Sequence, residues 1–266
     1  MTAGRRDDLW LPLLRSLTEG FPAWGVWKNV ESALAGTGDV DSFSPPEHWP
    51  GIQRHFTDWA AAEGLGPVLT CRHIPQGPHF ITVEPGSPYI VQLDVKDRGT
   101  FRGSTLIDAW TLPGLSELDD RGFRRVRPGV EGILKLCMNG TRRGGRSNRA
   151  ALDAKNVRAL LAVDPEGVQL GANLLGLARG PALRGAHAVL DGGWDRRAMA
   201  SVEAWSAIRG LVEPRTALSR WWFLRSVAPR CPVIQLIRTE NRRITGDPIS
   251  WIRSMAPGHE LVDVPR

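Results

Sequence analysis

Three short apolar runs, parted by proline–glycine turns, limit what this chain can become. Val68 to Ile74, His79 to Val83 and Tyr89 to Val95 are divided by Pro75-Gln76-Gly77-Pro78 and by Pro85-Gly86-Ser87-Pro88. Proline removes a backbone donor and fixes φ, and glycine opens conformations closed to other residues. Each tetrapeptide therefore reads as a turn between strands. In the third run Val91, Leu93 and Val95 alternate with Gln92 and Asp94. Successive side chains of a strand point to opposite faces, so one face is apolar and the other carries an amide and a carboxylate. A charge near the end of an apolar strand is costly to bury alone, and Asp94 calls for a partner.

Upstream, Leu9, Trp10, Leu13, Leu14 and Leu17 repeat at helical spacing behind Asp7-Asp8, acids at the positive end of a helix dipole; Gly20 and Pro22 end the helix. Ala23 to Val30 reads as a strand and Asp39 to Phe43 as its partner, joined by a loop. Pro45-Pro46 opens a second helix, on which Trp49, Ile52, Phe56 and Trp59 form an apolar face until Gly64 and Gly66. From about Leu106 the pattern is mainly helical, with helices at Val130 to Cys137 and Leu152 to Leu161, and further ones near Gly167–Arg179, Arg196–Leu211 and Thr216–Val227. This order predicts an α+β fold: a mixed-sheet catalytic domain over 1–110, then a mainly helical, substrate-shaping region over 111–266.

The chain has 266 residues and a formal charge of +6, but 30 of its 34 basic residues are arginine and only four are lysine. That skew is of the kind a GC-rich coding sequence produces. It makes the charge weak grounds for nucleic acid as partner, which stays open, while an anionic substrate is comfortable. Cys71, Cys137 and Cys231 are scattered, with no C-x-x-C spacing, and a reduced cytoplasmic setting is expected. No run of eighteen apolar residues and no apolar leader are present, so no membrane partner is expected. His73 and His79 lie across a turn at poor spacing for zinc and are set aside as incidental.

The chemistry gathers at Gly36-Thr37-Gly38-Asp39-Val40-Asp41, which follows Trp27-Lys28-Asn29. On a strand Asp39 and Asp41 face one way and Val40 the other. Two such carboxylates repel unless a cation lies between them, although a lone D-x-D is also an ordinary polar turn into an edge strand. Asp94, on another strand 53 residues after Asp41, supplies a third. Three aspartates converging on a sheet surface can hold two magnesium ions, which align a nucleoside triphosphate and lower the pKa of an attacking hydroxyl.

Together, Trp27-Lys28-Asn29, Gly38-Asp39-Val40-Asp41-Ser42, the helix after them and Val91-Gln92-Leu93-Asp94-Val95 resemble the nucleotidyltransferase superfamily of DNA polymerase beta, closest to its minimal bacterial members. The resemblance covers about residues 20–100, with a looser likeness through 129–161. It implies that Asp39 and Asp41 are the metal-binding pair and Asp94 the third carboxylate, a ligand of the catalytic Mg2+ (or Mn2+) that helps deprotonate the acceptor. The implied reaction is in-line attack of a hydroxyl on the α-phosphate of an NTP, with pyrophosphate leaving; the acceptor is a small molecule, a tRNA end or a protein side chain.

The family's Gly-Ser, which holds the terminal phosphates, has no counterpart. Lys28-Asn29 stands near its place, just ahead of Gly38. Lys28 is then either a point-charge phosphate ligand, with Asn29 as donor, or an exposed strand residue. Gly38, Lys135, Lys155, Arg142 and Arg143 are further candidates for the nucleotide, Arg146 and Arg149 lying in the same loop as the last two. The alternative is a catalytically weak nucleotidyltransferase-like binding module, an antitoxin-like partner or a nucleic-acid binder that uses the arginine-rich tail.

Overall fold

The computed structural model describes residues 6–86, 89–140, 153–226, 234–237 and 261–262. The chain divides into two compact units: Met1–Asp97 with Leu118–Arg124 and Ser219–Arg266, and Arg98–Glu117 with Arg125–Leu218. The first division falls at Asp97–Arg98 rather than after residue 110, and the stretch from Ser219 groups with the first unit. The architecture is α+β, a mixed sheet with several helices.

The first unit begins with α1 (Asp7–Gly20), β1 (Gly25–Lys28), α2 (Val30–Leu34) and β2 (Val40–Phe43). The expected strand from Ala23 stops early because Asn29 takes a left-handed φ of 65° and Val30 opens a short helix where a loop was anticipated. A 3-10 turn, Pro46–His48, leads into α3 (Trp49–Ala62). Then come β3 (Val68–Ile74), β4 (Gly77–Val83) and β5 (Ile90–Lys96). Later in the chain are the hairpin β6 (Arg98–Phe101) and β7 (Ser104–Asp108) and the short β8 (Ser116–Leu118) and β9 (Arg124–Val126). The helices α4 (Pro128–Gly140), α5 (Ala154–Val163), α6 (Pro165–Asn173), α7 (Arg179–Leu190), α8 (Arg196–Val212) and α9 (Arg215–Ser226) follow, and β10 (Ile234–Ile237) and β11 (Leu261–Val262) end the order.

The seven strands of the first unit lie in the order β11-β10-β3-β4-β5-β2-β1. β2 and β5 are parallel neighbours, whereas β1 runs antiparallel to β2 and β4 antiparallel to β5. One core joins the apolar sheet positions Val26, Val40, Phe80, Val91, Leu93 and Val95 to Trp10, Leu13, Leu14 and Leu17 of α1 and Ile52, Phe56 and Trp59 of α3. Both helices thus present the faces their spacing predicts. Trp10 stacks on Trp59 with ring centroids 5.7 Å apart. The parity that aims these side chains at the core sends Asp41 and Asp94 away from it.

In the second unit α4 is the most buried helix, with Val130, Ile133, Leu134, Leu136 and Cys137 fully covered. Small residues let helices approach: a Cβ on Gly132 would lie 2.9 Å from Leu161, and one on Gly171 3.0 Å from Ile133. Asp164 ties this unit together. Its carboxylate accepts from the backbone N–H of Gly167, capping α6, from the N–H of Gly129 at the start of α4, and from Nε and Nη2 of Arg127. Burial opposes its charge, but the Arg127 bonds and the two N–H groups outweigh that and hold its pKa below the usual 3.8.

A depressed carboxyl contributes stability that is fully present above its unfolded pKa and fades as pH falls below it. Asp164→Ala is expected to lose about 2 kcal/mol at neutral pH, from a missing cap and a stranded Gly129 N–H. Its urea midpoint should also fall less steeply than wild type between pH 4 and 3, which parallel titrations of the two chains would show.

Among the described residues no helix is long and apolar enough to cross a membrane.

Candidate metal centre

Strand register builds the centre. Lys28 lies opposite Asp41, Asp41 opposite Asp94, Asp94 opposite His79 and His79 opposite Cys71, one transverse row over β1, β2, β5, β4 and β3. Side chains two residues away on a strand share its face, so Gln92 and Lys96 flank Asp94. Asp39, just ahead of β2, completes the cluster: one oxygen from each of Asp39, Asp41 and Asp94 lies within 4.8 Å of the others. The three carboxylates expected from sequence are therefore brought together. Asp41 and Asp94 are buried, and Asp39 is partly so.

Each carboxylate has a different environment. Asp94 Oδ1 accepts from His79 Nδ1 at 2.5 Å and from the Gln92 amide at 2.8 Å; its Oδ2 is 3.3 Å from Lys96 Nζ. Burial works against its charge, but the His79 bond and the positive charges beside it prevail and hold the carboxyl at about 2. Asp41 Oδ1 accepts from Lys96 Nζ at 2.7 Å, and its Oδ2 accepts from the Asn29 amide at 3.0 Å and lies 3.4 Å from Lys28 Nζ. Asp39 fares worst. Burial, then repulsion from Asp41 and Asp94, raises its pKa above 3.8 despite Lys28. Negative charge at Asp39 is under-compensated in spite of Lys28, and a further cation would relieve it. The donors are all hard oxygens, as magnesium and manganese prefer, so the residues fit such an ion.

Lys28 and Asn29 do reach this cluster, and both turn to Asp41. Lys28 also sits over the Trp27 ring at 4.5 Å. Gly38 belongs here for packing: a Cβ would fall 2.9 Å from that of Ser32 on α2. Lys135 is buried in α4 of the second unit and paired with Glu131 at 2.7 Å, a structural assignment in place of the expected nucleotide contact. Lys155 is exposed at the start of α5. Arg142 and Arg143, with Arg146 and Arg149, lie outside the described residues.

Two members were missed. His79, set aside as incidental, is buried and fixes Asp94; its one cue was the turn between the two runs, which suggests a hairpin but leaves its register open. Lys96 escaped notice because the apolar alternation ends at Val95, although two residues past Asp94 is the same face. Cys71 closes the row as a thiol kept protonated: burial and then the Asp94 charge raise its pKa.

The second unit holds a separate cavity of about 640 Å³, walled by Leu106, Ile107, Leu174, Trp205, Ile208 and Val212. Its Arg209 is bonded to Glu213 and to the Leu174 carbonyl, so this charge is engaged within the wall.

Comparison of the chain with family models, curated proteins and solved structures gave no significant match in any of the three.

Proposed function

We propose that this protein is a magnesium- or manganese-dependent nucleotidyltransferase, moving an NMP from an NTP to an acceptor hydroxyl with release of pyrophosphate. The carrying observation is the parallel register that sets Asp41 opposite Asp94 with Asp39 two residues before. Nothing else in the described chain gathers three carboxylates in this way. Asp39, Asp41 and Asp94 would hold the ion, which when bound supplies charge to the triphosphate and acidifies the attacking hydroxyl. The acceptor oxygen bonds the α-phosphorus as the bond to the β-phosphate oxygen breaks, so the chain's own task is positioning and charge balance rather than covalent attack. His79 and Gln92 fix the Asp94 carboxylate, and Asn29 fixes that of Asp41. A cytoplasmic setting and an acceptor bound through the helical region belong to the same proposal.

One observation favours the second reading, a catalytically weak binding module. Lys28 and Asn29 stand where the resembling family has Gly-Ser, and both are engaged with Asp41. The two readings part in a thermal-shift series with each NTP plus Mg2+ or Mn2+, followed by incubation with α-labelled NTPs and cell extract. The transferase reading expects nucleotide-dependent stabilisation, lost in Asp39→Asn, and label on small molecules, RNA or protein. Stabilisation without label would leave the binding module. Neither shift nor label would remove the transferase.

A further inference from the structure

We infer that Lys96 takes the place of a second metal ion, making this a centre for a single divalent cation. The inference rests on the metal reading above and goes beyond it, since three converging aspartates by themselves suit two ions. Oxygen lone pairs set the limit. A carboxylate offers about four acceptor directions, two per oxygen. Asp94 Oδ1 spends both on His79 and Gln92, and Asp41 Oδ2 spends one on the Asn29 amide and faces the Lys28 ammonium with the other.

The inner oxygens, Asp41 Oδ1 and Asp94 Oδ2, share the Lys96 ammonium at 2.7 and 3.3 Å. Lys96 thus sets a positive charge against both of the carboxylates that face each other across β2 and β5. By this count one direction is left on each inner oxygen, together with those of the Asp39 carboxylate beyond its own backbone N–H, enough for one ion. A second ion would draw on Asp41 again, and on Asp41, as on Asp94, the outer oxygen is already occupied.

Residue choice supports the same conclusion. The chain uses arginine 30 times and lysine four times, yet Lys28 and Lys96, half its lysines, meet at these carboxylates. A guanidinium is a broad planar fork, whereas an ammonium is a compact point charge, the nearer mimic of an ion between two oxygens. The Lys96 side chain is only 18% exposed, and its backbone is pinned by the Ser44 N–H bonding its carbonyl, so the ammonium is delivered by a fixed strand end.

The test is the stoichiometry of Mn2+ on the full chain, read by loss of the free-ion paramagnetic resonance signal and by calorimetry. Wild type should bind one Mn2+ at the cluster, Lys96→Met should bind two, and Lys96→Arg should stay at one or bind more weakly. Two ions on wild type would overturn the inference while leaving the metal reading intact. No ion on wild type would remove both. One ion on Lys96→Met, with unchanged affinity and a native circular dichroism spectrum, would show that the lysine occupies no ion's place. The wild-type count stands as a test even where the variant fails to fold.

Discussion

Asp39→Asn and Asp41→Asn are expected to abolish transfer alike and to move stability in opposite directions. Each removes a carboxylate that would hold the ion, and the loss of NTP-dependent transfer should be at least about a hundredfold in both. In the metal-free chain their situations differ. Asp41 is 2% exposed and is the aspartate that both Lys96 and Lys28 pair with and that Asn29 donates to, so the amide removes the ion pair of Lys28 and the shorter of the two that Lys96 makes. Breaking a buried pair from one side costs roughly 3 kcal/mol.

The charge of Asp39 is only partly compensated, since burial and repulsion from Asp41 and Asp94 outweigh Lys28. Its folded pKa lies above the unfolded 3.8, so the folded state holds the proton more tightly, and stability falls as pH rises through that window. At pH 7 the wild-type chain therefore carries a penalty that Asp39→Asn lacks. Metal-free melting should place Asp39→Asn at or above wild type and Asp41→Asn well below it, and added Mn2+ should raise wild type alone. If Asp39→Asn melts below wild type without metal, its carboxylate is a structural anchor and the site is not strained toward a cation.

The readable part of this fold is the part governed by period. Trp10, Leu13, Leu14 and Leu17, and later Ile52, Phe56 and Trp59, declare their helices, and both faces are buried as expected. Val91, Leu93 and Val95 declare their strand, and with it the direction of Asp94. What the sequence hid was pairing. Parity says that Asp39, Asp41 and Asp94 share a face only once β2 and β5 are known to be neighbours in register, a long-range fact with no local signal.

The same gap concealed His79, whose partner lies 15 residues on. The hairpin of β6 and β7 was lost for another reason. Its turn is Arg102-Gly103, with φ of 51° and 85°, and arginine at a left-handed position carries none of the usual Asn-Gly signal. The helix α7 is not among the expected helices; it holds Gly180, Pro181 and Gly185, residues of poor helix propensity, and Gly185 admits Met199, whose sulfur would lie 2.7 Å from a Cβ.

Gly77 shows why the site holds its geometry, and Gly77→Ala is the substitution expected to damage the fold most for its size. The residue was read as part of a turn, but β4 starts on it. A Cβ there would fall 1.8 Å from the Val95 carbonyl oxygen, 2.8 Å from its carbon and 2.9 Å from Lys96 Cα. All three are backbone atoms, so no side chain can rotate away and β5 itself must shift. Overpacking a fixed backbone costs about 3 kcal/mol, a fall of several degrees in Tm.

The shift would land on Val95 and Lys96, next to Asp94, and would move the Asp94 carboxylate off its place opposite Asp41. Gly77→Ala should therefore weaken Mn2+ binding and transfer as well as stability, although Gly77 has no group to offer an ion. Gly114→Ala is the matched control, since a Cβ there meets nothing within 4 Å, and its melting should stay within about 0.5 kcal/mol of wild type. Were Gly77→Ala to melt with wild type, β5 would have room to move at its end, and the close approach of β4 would not be what holds Asp94 opposite Asp41.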